Sequence, residues 1–159
     1  MGRAYRLNLL ARVFEAEGGR NVAAQNAAIV SAAPYLVGVK AEGDLAFVPR
    51  GGGRDVRWMA VNQRLVPVAA PNLSLEWVQR RFVSVLTRQG NGTMRYVSQL
   101  RETVRDSRPV QIAATGAAFP LRTEEPGDFV LVLRNEAGAE LNRVHYSVAG
   151  QANLSRSLE

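Results

Sequence analysis

Turn-forming residues interrupt this chain about every 8–15 positions, a spacing that suits short β-strands far better than helices. No segment carries an apolar stripe of helical period, and none repeats at a fixed interval. A first pair of runs, Tyr5–Phe14 and Val22–Val30, flanks the glycine-containing stretch Glu15–Asn21 and reads as a hairpin. The second of these arms is rich in alanine and has helix propensity, and its brevity and its ending at Ser31–Pro34 leave helix and strand both open, with strand the expectation. Tyr35–Val39, Leu45–Val48, Val56–Asn62 and Leu65–Ala69 come next, with the Gly51–Gly53 run as a loop and Pro71 closing the segment.

The second half is patterned more sharply. Val78, Arg80, Phe82, Ser84 and Leu86 alternate with Gln79, Arg81, Val83, Val85 and Thr87, the period of a strand. Asn91-Gly92 then signals a tight hairpin turn, and Met94–Leu100 returns. Leu100–Asp106 is open between a helical turn and continued strand, and Pro109 precedes two short runs, Val110–Ala113 and Ala118–Leu121. Glu125-Pro126-Gly127-Asp128 makes a corner, with proline presetting φ and glycine supplying a positive φ. Phe129–Leu133 has no polar relief, which predicts a strand buried on both faces. Leu141–Val148 puts Val144, Tyr146 and Val148 on one side.

At least seven strands without a helix predict an all-β, antiparallel sandwich. With 159 residues there is room for one ordinary domain that needs no covalent staples. Residues 1–149 are expected to form it, and Gly150–Glu159 to be an extended, poorly ordered linker. The predicted core is Phe82, Leu86, Phe129, Leu131, Leu133, Val144 and Tyr146, with Trp77 at a sheet end.

Composition closes off much chemistry. There is no cysteine, hence no disulfide, zinc finger or thiol nucleophile. The net charge is +6, but 19 of the 20 basic residues are arginines scattered from Arg3 to Arg156. That bias fits GC-rich codon usage better than a phosphate-binding face, and charge alone speaks to solubility and encounter. No apolar stretch is long enough to span a bilayer as a helix. The N-terminal Met1–Arg6 lacks a signal core, so an export signal is expected on a longer parent.

Candidate catalytic groups are few and each lacks a partner in the sequence. His145 alternates with Val144 and Tyr146, which places it on a polar strand face. No nucleophile elbow accompanies it. Glu124 and Glu125 stand beside Asp128 at a wet turn, where nothing separates their pKa values. Lys40 shows no sign of the burial a Schiff-base lysine needs. Gly51–Arg54 lacks the Lys-Ser/Thr and helix of a phosphate loop. Glycosylation sequons at Asn72, Asn91 and Asn153 carry no weight without an exported eukaryotic context. Trp77, Arg80, Arg81, Phe82, Arg95 and Tyr96 could stack bases and hold phosphates, although Arg80 and Arg81 point to opposite faces. Catalytic residues, metal ligands and cofactors are expected to be absent.

Leu75–Gln89, Glu125–Asn135 and Leu141–Val148 together resemble one region of the bacterial alpha-2-macroglobulins. Tyr35–Phe47 is similar but less distinctive, and Ala152–Glu159 resembles the segment entering that family's next domain. The resemblance implies a seven-stranded macroglobulin-like domain akin to fibronectin type III. It implies a large periplasmic parent, lipid-anchored to the inner membrane, in which a protease cuts a bait region and is trapped by the rearrangement. Partners would be neighbouring macroglobulin-like and bait-region domains and the target proteases, not nucleic acid, and the isolated piece would be monomeric. The family's thioester needs a cysteine, which this chain lacks. Gly51–Arg54 and Thr103–Arg108 offer arginines to trypsin-like proteases without marking a bait. The other reading from the sequence is a free-standing Ig-like adhesion or ligand-binding module.

Overall fold

The structure, a computed structural model, describes residues 4–14, 20–31 and 33–150. Among them there are nine strands and no helix: β1 (Ala4–Phe14), β2 (Asn21–Ser31), β3 (Leu36–Ala41), β4 (Asp55–Val61), β5 (Ala70–Arg88), β6 (Met94–Ile112), β7 (Ala117–Pro120), β8 (Gly127–Arg134) and β9 (Glu140–Val148). Seven of them form the predicted antiparallel sandwich. One sheet has the order β3-β4-β7 and the other β6-β5-β8-β9. The remaining two, β1 and β2, pair only with each other. The hairpin expected there is present, and the alanine-rich arm is a strand; residues 15–19 of its loop lie outside the described residues. So do residues 151–159, most of the expected linker.

The core is built from the inward faces of the two sheets. On β4 the alternation is strict, with Val56, Trp58 and Ala60 buried and Asp55, Arg57 and Met59 exposed. Leu73, Leu75 and Trp77 of β5, Phe129, Leu131 and Leu133 of β8, and Val144, Tyr146 and Val148 of β9 meet them from the other side. β8 is buried on both faces, as its unbroken apolar run predicts. Its outward Val130 and Val132 join Val78 in a second small cluster.

Five expectations need correction. Phe82 and Leu86 are 54% and 47% exposed and belong to no core, because β5 and β6 run on beyond the opposing sheet. Trp77 is not at a sheet end; it sits mid-strand opposite Leu131, where a bulge between Trp77 and Val78 shifts the β6 register. Leu45–Val48 is not a strand: Val48 makes a single parallel bridge to Val148 and is fully buried. Leu65–Ala69 is a turn around Asn62, whose side chain accepts from the backbone N–H groups of Arg64 and Val66. Pro71 does not end a segment but lies within β5, and Pro109 within β6, where an edge strand can spare the missing N–H. Leu100–Asp106 is continuous strand. The predicted corner is present, with Gly127 at φ 141°.

Candidate functional site

The outward face of the four-stranded sheet carries most of the titratable groups. Arg143 grips Glu140 with two 2.8 Å hydrogen bonds and reaches Glu102 at 3.6 Å. Arg80 lies 3.3 Å from the same Glu102, and Arg134 is 2.9 Å from Glu76. These arginines come from β5, β8 and β9, on the sheet face that also carries the buried Val78, Val130 and Val132, where long arginine stems are suited to cover apolar surface. The ion-pair lattice is therefore a roof over a thin apolar patch, which explains how β8 stays dry on a face with no third layer.

His145 lies in this roof, on the polar face as expected, with Nδ1 3.1 Å from the Arg80 guanidinium. Burial first, then the Arg80 and Arg143 charges, hold its pKa below the ordinary imidazole value. A neutral ring accepting a hydrogen bond from Arg80 fits that direction. Ser147, which lines the same shallow pocket, donates its hydroxyl to Asp128 and not to His145. The guanidinium of Arg143, and beside it those of Arg134 and the His145 ring, keep Glu140 below its usual range. Both groups serve the roof.

The other sequence-named groups are dispersed. Glu124 and Glu125 are exposed, and Glu125 meets Arg105 at 3.7 Å. Lys40 is exposed on β3. The Gly51–Arg54 loop is tied down, Gly51 N–H donating to Thr123 C=O and Arg54 to Asp44 C=O. Thr103–Arg108 lies in paired strand β6. No cluster of three metal-ligating residues occurs among the described residues.

Beside the core, Arg108 and Arg122 cap the Trp77 ring at 4.7 and 4.6 Å from its centroid. Arg122 also pairs with Asp106, and its carbonyl accepts the Tyr146 hydroxyl at 3.0 Å. Burial pushes the Tyr146 phenol far above its usual pKa. A cleft of about 320 Å³ opens here, with Trp77, Arg122, Phe129 and Tyr146 among its walls. Arg122, Glu125 and Tyr146 in it are engaged in ion pairs or hydrogen bonds at the sheet edge, while the buried Trp77 indole N–H has no hydrogen-bond partner.

What remains is a projecting surface. Past Arg80 the β5 strand loses β8 as a neighbour, so residues 81–101 form a two-stranded arm. One face shows Phe82, Leu86, Met94, Tyr96 and Leu100, each between 41% and 70% exposed. The other shows Arg81, Arg95 and Arg101. The six residues that could have formed a nucleic-acid platform are thus not brought together on one face. Trp77 is in the core, Arg80 is in the roof, Arg81 and Arg95 lie on the face opposite Phe82 and Tyr96, and of the arm's arginines Arg88 alone shares the aromatic face.

The sequence is 46% identical over 155 residues, 98% of the chain, to an alpha-2-macroglobulin homolog of Yersinia pestis. This chain belongs to the alpha-2-macroglobulin family. It is also similar to the alpha-2-macroglobulins of Pasteurella multocida, 41% identical over 92% of the chain, and Rickettsia conorii, 30% identical over 97%. It spans about 8% of the length of each of these relatives. No family model matches. Among solved structures, the native Escherichia coli alpha-2-macroglobulin aligns over 92% of the chain at TM-score 0.62 and 13% identity. The Salmonella protein reacted with methylamine gives 0.58 at 15% identity. In each case about 10% of the larger chain is matched, and the likeness is one of fold. The alpha-2-macroglobulin resemblance and the macroglobulin-like sandwich read from the sequence both stand.

Proposed function

We propose that this chain is a non-catalytic structural segment of a bacterial alpha-2-macroglobulin, an exported, lipid-anchored periplasmic inhibitor that traps proteases. The observation that carries the proposal is near-complete alignment, at 46% identity, to a stretch that makes up 8% of such a protein. A segment of that size has no second body to move, so trapping must belong to the whole polypeptide. The sandwich serves as a rigid tile. Its projecting arm offers an apolar face and four arginines without a single carboxylate in residues 81–101, suited to docking on neighbouring macroglobulin-like or bait-region domains.

The test uses the full-length protein and several proteases of different specificity. Full-length inhibitor should block digestion of a protein-sized substrate while sparing a small peptide substrate, and this chain alone should do neither. Saturable, stoichiometric inhibition by the chain alone, once simple competition for digestion is excluded, would overturn the scaffold assignment. Osmotic-shock fractionation should release or expose the parent with periplasmic markers; recovery with cytoplasmic markers would refute the location.

A further inference from the structure

The β1–β2 hairpin is the least explained part of the molecule. Its strands pair over eleven residues each, from Ala4 opposite Ser31 to Phe14 opposite Asn21, and enter neither sheet of the sandwich. The register places Tyr5, Leu7, Leu9 and Val13 on one face with Val22 and Val30. Alanines fill most of the positions between, Asn26 is the one polar residue, and no charge lies there. Those six large side chains are 48–73% exposed. The opposite face is mixed, with Arg6, Asn8, Arg12, Asn21 and Gln25 beside the exposed Leu10 and Phe14.

This is the in–out pattern of a sheet covered on one side. A two-stranded ribbon is marginal in water on its own, and this one offers an apolar face about 35 Å long. Its own sandwich cannot supply the cover, because β3–β9 already close their core between two sheets. Nucleic acid does not fit a face without cations. Lipid does not fit a ribbon whose two edges carry unpaired backbone groups. A second sheet does fit, and the relatives are some twelve times longer than this chain, at 8% coverage.

We propose that β1 and β2 are two strands of a second β-sandwich, their apolar face covered by a sheet from the polypeptide that precedes this chain in the full-length protein. The preceding segment is favoured because consecutive elements usually pack together. The proposal rests on the reading of this chain as part of a longer alpha-2-macroglobulin, and it moves the start of the β3–β9 domain to about Ala33.

The test is alkylation of full-length protein carrying Leu9→Cys or, on the other face, Asn8→Cys, read by peptide-resolved mass spectrometry. The native segment has no cysteine, so its labelled peptide is unambiguous. Leu9→Cys should react at least tenfold more slowly than Asn8→Cys, independently of protein concentration. Equal rates would overturn the proposal. So would protection that appears only at high concentration, meaning a second copy, or only with added vesicles, meaning lipid. Should Leu9→Cys misfold, hydrogen exchange on the unmodified full-length protein decides: slow exchange through Leu7–Val13 supports the proposal, and exchange as fast as Gly52–Gly53 refutes it. Working protease trapping with a freely labelled hairpin sinks this proposal alone; a protected hairpin in a protein that traps nothing sinks only the inhibitor reading.

Discussion

Truncating Leu131 to alanine probes the packing argument at its centre. Leu131 is fully buried on β8, between Trp77 of β5 and Val144 of β9, themselves 2% and 7% exposed. Removing three carbons forfeits about 2.4 kcal/mol of transfer free energy, at ~0.8 kcal/mol per methylene. If the two flanking strands hold their places, ~80 Å³ is left empty, adding about 2 kcal/mol at ~24 cal/mol per Å³. The sum, about 4 kcal/mol, is a large part of the ~5–15 kcal/mol that stabilises an ordinary domain. Urea melts of Leu131→Ala should show the midpoint falling by roughly 2–4 M if the slope is ~1–2 kcal/mol/M. Phe82→Ala is the control. It removes a larger side chain from the same sheet, but one already 54% exposed on the arm, so its cost should stay below about 1 kcal/mol. A loss under about 1 kcal/mol for Leu131→Ala, or an equal loss for Phe82→Ala, would refute the boundary drawn between sandwich and arm.

The roof should behave as one unit. Arg143→Ala leaves Glu140, 15% exposed, without its bidentate partner, and should cost about 1–2 kcal/mol by denaturant melt after allowance for solvent screening of the guanidinium. No measurable loss would mean the lattice is decorative. Stability should decline with pH in two stages. His145 has a folded pKa below its ordinary 6.5, so the unfolded chain binds more protons and stability falls as pH drops through that value. Glu140, held below 4.5, adds a further loss below that pH. Thermal melts of His145→Gln should lack the first stage, and an unchanged profile would refute the assignment. Gly116→Ala should lower the melting temperature, at a cost of about 1–3 kcal/mol, since Gly116 sits at φ 94° and a Cβ there would lie 3.0 Å from the Trp58 carbonyl. A neutral result would mean the β6–β7 turn is free to rearrange.

Local order was legible residue by residue. Phe129–Leu133 announced a strand covered on both faces, Asn91-Gly92 its hairpin turn, and Pro126-Gly127 its corner, because each depends on backbone sterics or on a run of a few side chains. The placement of His145 on a polar face followed from the same alternation, and Arg143 was missed as the centre of the roof although its spacing from Glu140 was visible. Which alternating faces are buried was decided by tertiary structure alone. Val78, Phe82 and Leu86 share one strand face, yet Val78 is 4% exposed and the other two are open to solvent. Alternation says that a face is apolar; whether another layer lies over it depends on where the opposing strands stop, and no residue on β5 encodes that. The same holds for Val48, buried through one bridge to a strand a hundred residues away, and for β1–β2, which among the described residues join neither sheet of the sandwich.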